Sequence, residues 1–222
     1  MSIAPRASAA APADVEAWLA ELGLVPLERA DREGVTSWDL RLDGRRRAAL
    51  RVTVILDPAF ALICWAHYAP PINDMFRKSY RKLLRWNDAF PFAKFGLTED
   101  ERPLLMSELP IDTVDAGAVG LALARTIGIA DRLFDETVPW LWIGGRKPDQ
   151  SKRTTRNARL LAEYAEVLAD LEAVPLGPPG PAAEADEGAD ADEIAENADE
   201  TVGGAATADA AAATPATEPT TR

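Results

Sequence analysis

The stretch Lys82 to Pro110, KLLRWNDAFPFAKFGLTEDERPLLMSELP, decides the fold. Leu83, Leu84 and Trp86 close an amphipathic helix, and Phe90-Pro91 breaks it. Phe92 to Leu97 and Leu104 to Leu109 then read as two short strands around the polar tip Thr98 to Arg102, so the segment predicts a helix followed by a hairpin. Asn87, at the helix end, reads as a left-handed cap, and Trp86 as a packing anchor between helix and sheet. Pro103 suggests an edge or strand-entry position for the second strand.

Upstream, Val15, Trp18, Leu19 and Leu22 share one side of a helix, with Glu16 and Glu21 facing away and Gly23 ending it. Glu28 to Gly34 reads as a short charged connection. Three strands follow: an alternating run around Trp38, Leu40 and Leu42, a second over Leu50 to Asp57, and a nearly continuous apolar run over Phe60 to Tyr68. Asp43-Gly44 offers positive φ to the first turn, and Arg45 to Arg47 are expected to keep it in water. Pro70 and Pro71 end this meander, and Asn73 or Asp74 can cap the next helix. On that helix Arg77, Lys78, Arg81, Lys82 and Arg85 fall within an arc of about 140°, with Phe76, Tyr80, Leu83 and Leu84 expected opposite.

Downstream, a helix capped near Asp112 to Asp115 buries Val119, Leu123, Ile127, Ala130 and Phe134, with Arg125, Asp131, Arg132 and Asp135 outside. Pro139 kinks or ends it, and Trp140 and Trp142 follow as anchors. Gly144-Gly145 reads as a hinge before an amphipathic helix whose stripe, Leu160, Tyr164, Val167, Leu168 and Leu171, packs either on its own core or on a second subunit. From Pro175 the chain is Pro, Gly, Ala, Thr and acid, a composition that predicts disorder.

The formal charge of −12 divides unevenly. Residues up to Glu172 hold 23 Lys and Arg against 25 Asp and Glu, net −2, while the remainder holds 11 acidic residues and Arg222, net −10. A near-neutral folded part argues against a globally nucleic-acid-seeking surface. One cysteine, Cys64, excludes an intrachain disulfide and suits a reducing compartment. No secretory signal or apolar span of about 20 residues is evident, so a cytoplasmic protein without a membrane segment is expected.

Chemistry is sparse. His67, the sole histidine, and Cys64 lie three apart on a predicted strand and point to opposite faces, which separates thiolate from imidazole. One His and one Cys supply too few soft ligands for a metal site. Glu99, Asp100 and Glu101 read as a solvated turn, and Gly144-Gly145 lacks the setting of a phosphate loop. Catalytic residues, metal and cofactor are therefore all expected to be absent.

The element order, helix, three strands, helix, two strands, helix, together with Leu84-Arg85-Trp86-Asn87, Phe95-Gly96-Leu97, Leu104 to Pro110 and Ala122 to Phe134, resembles the YbjN family of bacterial sensory transduction regulators. The resemblance runs from about Pro12 to Trp142. It implies the fold of class I type III secretion chaperones and a non-enzymatic, chaperone-like or regulatory binding module, usually a homodimer. The Trp140-Leu141-Trp142 end, the appended helix and the tail depart from that pattern.

The expectation is an α+β domain over residues 12–145, in which helices pack a twisted antiparallel sheet. A disordered N-terminus (1–11) precedes it, and an amphipathic C-terminal helix (146–173) and a disordered acidic tail (174–222) follow. Arg77, Lys78, Arg81, Lys82 and Arg85 are the candidate partner-binding residues, facing a protein or peptide segment of acidic character. The alternative is a nucleic-acid-binding regulator using the same basic face, whose affinity would fall steeply with salt. A strand-adding partner would use the strand beginning at Pro103.

Overall fold

Alternation of apolar and polar residues at a period of two builds one mixed-length antiparallel sheet, and the described helices pack on the side that holds Trp38, Leu40 and Leu62. The computed structural model describes residues 10–71, 77–141 and 156–176, without the side chains of 77–79 and 139–141. Helix α1 (Pro12–Glu21) leads into β1 (Glu28–Arg32), β2 (Val35–Leu42), β3 (Leu50–Asp57) and β4 (Ala61–His67). Next come α2 (Arg77–Ala89), β5 (Lys94–Leu97) and β6 (Pro103–Pro110). The helices α3 (Ala116–Arg132), α4 (Phe134–Leu141), α5 (Ala158–Glu163) and α6 (Ala165–Ala173) complete the order. The sheet has six strands, ordered β1-β2-β3-β4-β6-β5. The α+β expectation holds.

The charged connection Glu28 to Gly34 is itself part of the sheet. Glu28 to Arg32 pairs with β2, and Arg32 opposite Val35 leaves Glu33 and Gly34 as a two-residue turn. Both have positive φ, 52° and 84°, the geometry that matches strand twist in tight hairpins. Charged side chains hid this strand, as suits a sheet edge that must not recruit another chain. The strand beginning at Pro103 is interior, paired on both sides by β4 and β5, so it offers no free edge to a partner. Pro103 stands at strand entry, where its carbonyl accepts the N–H of Tyr68 at 3.0 Å.

Trp38, Leu40, Val54, Leu62, Cys64 and Leu105 are buried against the helices. Val15 and Leu19 of α1 join them, and Glu16 anchors that helix by accepting the Trp38 indole N–H at 3.3 Å and pairing with Arg29 at 3.0 Å. Asp115 caps α3, accepting the Ala118 N–H at 2.7 Å. The long helix expected to end at Pro139 breaks earlier, at Leu133, and Pro139 lies inside α4.

The C-terminal amphipathic helix is two short helices divided at Tyr164, and both pack on α3 of the same chain. Leu160 and Leu168 are buried, and Gly120 and Gly128 make room. A Cβ at Gly128 would lie 2.6 Å from Leu171, and one at Gly120 would meet the Tyr164 ring. Stripes of small residues allow such close helix approach. Asp43 and Asn157 lock this layer to the sheet: Asn157 Oδ1 accepts the Asp43 N–H at 2.7 Å, and its Nδ2 donates to the Asp43 carbonyl at 3.0 Å. The wholly buried Asp43 carboxylate takes Arg156 Nη1 at 2.9 Å.

Among the described residues, no helix is long and apolar enough to cross a membrane. The expected Asn73 or Asp74 cap, the Trp140 and Trp142 anchors, the Gly144-Gly145 hinge and the acidic tail lie outside the described residues or side chains.

Candidate protein-binding surface

Helix α2 turns Leu83, Trp86 and Phe90 inward. The Trp86 ring meets Phe95 at 5.5 Å, and Phe95 meets Tyr68 edge-on at 5.1 Å, which fixes the helix beside the outer strand β5. Asn87 is not the left-handed cap that the sequence suggested, since the helix continues to Ala89 and Asn87 has no positive φ. It lies within α2, and its carboxamide pairs with the backbone of Phe95 on both sides: Oδ1 accepts the N–H, and Nδ2 donates to the carbonyl at 3.1 Å. One side chain thus imitates a neighbouring strand and closes the β5 edge. The Trp-Asn pair in the sequence signals this junction, but only the hairpin geometry shows what the amide is for.

With the helix held so, Arg81, Leu84, Arg85 and Asp88 face outward. Leu84 was expected opposite the basic face but is 69% exposed, because at 100° per residue it lies nearer the Arg81 side than the Leu83 side. Lys82 is half-buried and pairs with Glu136 of α4 at 2.7 Å, so its charge is partly spent within the domain. Arg81 and Arg85 carry no ion pair among the described residues. The side chains of Arg77 and Lys78, also predicted for this face, lie outside the described residues.

Two expectations about the β2–β3 loop are corrected. Asp131 was placed on the outside of its helix, yet it is buried. Its carboxylate accepts the backbone N–H groups of Arg45 at 2.5 Å, Arg46 at 3.0 Å and Arg47 at 2.7 Å. Gly44 serves this approach rather than a positive φ, since a Cβ there would sit 2.3 Å from Asp131 Oδ1. Nor do the three arginines simply hold the turn in water. Arg45 pairs with Glu172 at 3.1 Å, Arg46 with Asp135, and Arg47 turns inward over the Tyr68 ring at 5.1 Å and donates to the Tyr68 carbonyl. Burial holds the Arg47 guanidinium below its ordinary value. These arginines are the stitching between sheet and helices.

Cys64 and His67 do point to opposite faces. Cys64 is buried on the helical side, where burial pushes its thiol up to about 12, and His67 is exposed on the other side. The acidic tip is a local network in which Asp100 accepts from the Thr98 hydroxyl and from Arg102 Nε at 2.5 Å. Among the described residues no three His, Cys, Asp or Glu side chains converge as metal ligands would.

The YbjN family model, described as "Putative bacterial sensory transduction regulator", matches residues 11–137, more than half of the chain. The match takes in α1, the whole sheet, α2, α3 and the first turn of α4, and stops short of α5 and α6. No curated protein matches the chain.

Proposed function

This chain belongs to the YbjN family, and from that premise we propose that it is a non-enzymatic regulator that works by binding another protein, as an adaptor or chaperone-like module acting as a homodimer. The observation that carries this reading is the outer surface of α2. Arg81, Leu84 and Arg85 stand together in solvent on a helix fixed by Trp86 and Asn87. Two cations that carry no ion pair among the described residues, beside an exposed leucine, suit an acidic amphipathic segment, in which an apolar anchor supplies affinity and carboxylates supply steering and register.

The same surface suits nucleic acid less well. Lys82 is already engaged by Glu136, and the folded part is close to neutral, whereas phosphate binding depends on many uncompensated cations.

The test is affinity capture from the native cell with the full chain and with the Arg81→Glu/Arg85→Glu and Leu84→Asp variants. Partner recovery is expected to fall sharply for both variants while circular dichroism stays unchanged. Undiminished recovery by folded variants would overturn the assignment of this surface. Capture of nucleic acid in place of protein, lost as salt rises, would favour the rival reading.

A further inference from the structure

Where β2 runs on past the start of β1, its edge is filled unevenly. Backbone groups along a strand alternate between its two neighbours with a period of two. The Asp39 carbonyl accepts the Leu27 N–H at 2.7 Å, so Asp39 turns its backbone toward β1. Four residues on, both backbone groups of Asp43 are taken by the Asn157 carboxamide. Arg41 stands midway, so its N–H and C=O point to the same edge, and neither has a partner among the described residues.

The sequence explains the gap. Leu27 and Glu28 both oppose Asp39, a bulge at which the chain turns off the sheet. Pro26, next along, has no N–H to give to Arg41. Between this departing segment and β2 lies a cavity of about 390 Å³, at the small end of ligand sites, which run from about 300 to 1,000 Å³. Buried Leu24, Leu40 and Leu42 line it, together with Val25 and Leu27, which are 84% and 61% exposed. Arg156 completes the lining. Its guanidinium reaches Asp43 through Nη1 only, and the side chain stays half-exposed.

One donor, one acceptor, apolar walls and a cation describe what fits. In antiparallel pairing, one residue's own N–H and carbonyl bond a single opposite residue. A guest residue at Arg41 cannot continue as a strand in either direction, since Leu27 holds Asp39 and Asn157 holds Asp43. A through-running strand is therefore excluded, whereas a chain that ends here has its place. Ending the chain turns the accepting carbonyl into a carboxylate, which strengthens the bond from the Arg41 N–H and brings negative charge into the cavity that Arg156 lines.

We infer that this cavity is a binding site for the free carboxyl end of an extended peptide whose last residue is apolar. That residue donates its N–H to the Arg41 carbonyl, its carboxylate accepts the Arg41 N–H in the field of Arg156, and its side chain lies against Leu24, Val25 and Leu27. The site is separate from the α2 surface and depends neither on that reading nor on the number of copies.

NMR titration of the isotope-labelled full chain tests it, with three probes: acetyl-Ala-Ala-Leu as the free acid, the same peptide as its C-terminal amide, and acetyl-leucine. The free acid is expected to move the Arg41 amide resonance saturably, and the other two to bind at least about tenfold more weakly. Val25→Glu, at a side chain already in solvent, is expected to keep the fold by circular dichroism and to lower the affinity of the free acid about tenfold by repelling its carboxylate. Arg156→Gln is expected to weaken binding likewise, and Val25→Glu decides the matter should the loss of Arg156 from buried Asp43 unfold the chain. A free acid that leaves the Arg41 amide unmoved overturns the inference. Equal affinity for the amide or for acetyl-leucine overturns it too, as does undiminished affinity in folded Val25→Glu. Arg81→Glu/Arg85→Glu should bind the peptide as wild type does, so failure of this site and failure of the α2 reading are told apart.

Discussion

Replacing Asp131 tests the most concentrated polar contact in the fold. Its carboxylate is 4% exposed and accepts three successive backbone N–H groups, from Arg45, Arg46 and Arg47, at 2.5 to 3.0 Å. A hydrogen bond to an ionised acceptor contributes about 1.5–3 kcal/mol, but three bonds to one group are not independent, and the freed amides lie only partly buried. We therefore expect Asp131→Ala to cost about 3 kcal/mol, and Asp131→Asn about 2 kcal/mol because one acceptor becomes a donor facing an N–H. Gly44→Ala attacks the same contact from the other side, since its Cβ would fall 2.3 Å from Oδ1. In the Asp131→Ala background that clash no longer exists, so the double variant should be more stable than the sum of the two losses by about 1 kcal/mol or more. Urea titrations followed by tryptophan fluorescence read the wild type and all four variants, with the midpoint moving and the slope unchanged. An Asp131→Ala loss under about 1 kcal/mol, or strict additivity with Gly44→Ala, would refute the clasp.

Two further outcomes follow from the geometry. Asn87→Ala removes both bonds to the Phe95 backbone and should cost about 1–2 kcal/mol, with amide exchange at Phe95 accelerating more than at neighbouring β5 positions; unchanged exchange at Phe95 would count against the edge-closing role. In alkali, burial raises the Cys64 thiol from 9.0, and the Tyr68 phenol from 10.0, to about 12 each. Both groups keep protons in the folded chain that the unfolded chain releases, so the stabilisation is whole below pH 9 and declines as pH rises toward 12. The decline approaches about 1.4 kcal/mol per pH unit for each group, and a flat urea midpoint between pH 9 and 11 would contradict it.

Much of the fold was legible because periodicity reports which side of an element is wet. The alternation at Trp38, Leu40 and Leu42 and the stripe at Val119, Leu123 and Ile127 landed inside as expected. The misses share a physical cause. β1 carries Glu28, Arg29, Asp31 and Arg32, so no apolar period betrays it, and its signal was the Glu33-Gly34 turn instead. Asp131 and Arg47 were read as solvated by residue type, although burial of a polar side chain depends on partners far along the chain, here 84 to 86 residues away for Asp131. At the candidate surface, Arg81 and Arg85 were legible as exposed cations. Leu84 was assigned to the wrong side because it sits at the border of the stripe, where a few tens of degrees decide exposure.

The C-terminal helices bear on how two copies can meet. Leu160, Tyr164, Leu168 and Leu171 form the stripe that the sequence left open between the chain's own core and a second subunit. Gly120 and Gly128 of α3, with the Asp43–Asn157 pairing, bind it to its own chain. An apolar stripe satisfied in this way has nothing left to offer a partner copy. Like charge disfavours self-association through α2, and the buried position of β6, with Asn87 closing β5, leaves little strand edge there to share. A homodimer of the kind proposed therefore has to be built on other surfaces, and that leaves Arg81, Leu84 and Arg85 of each copy for the acidic segment.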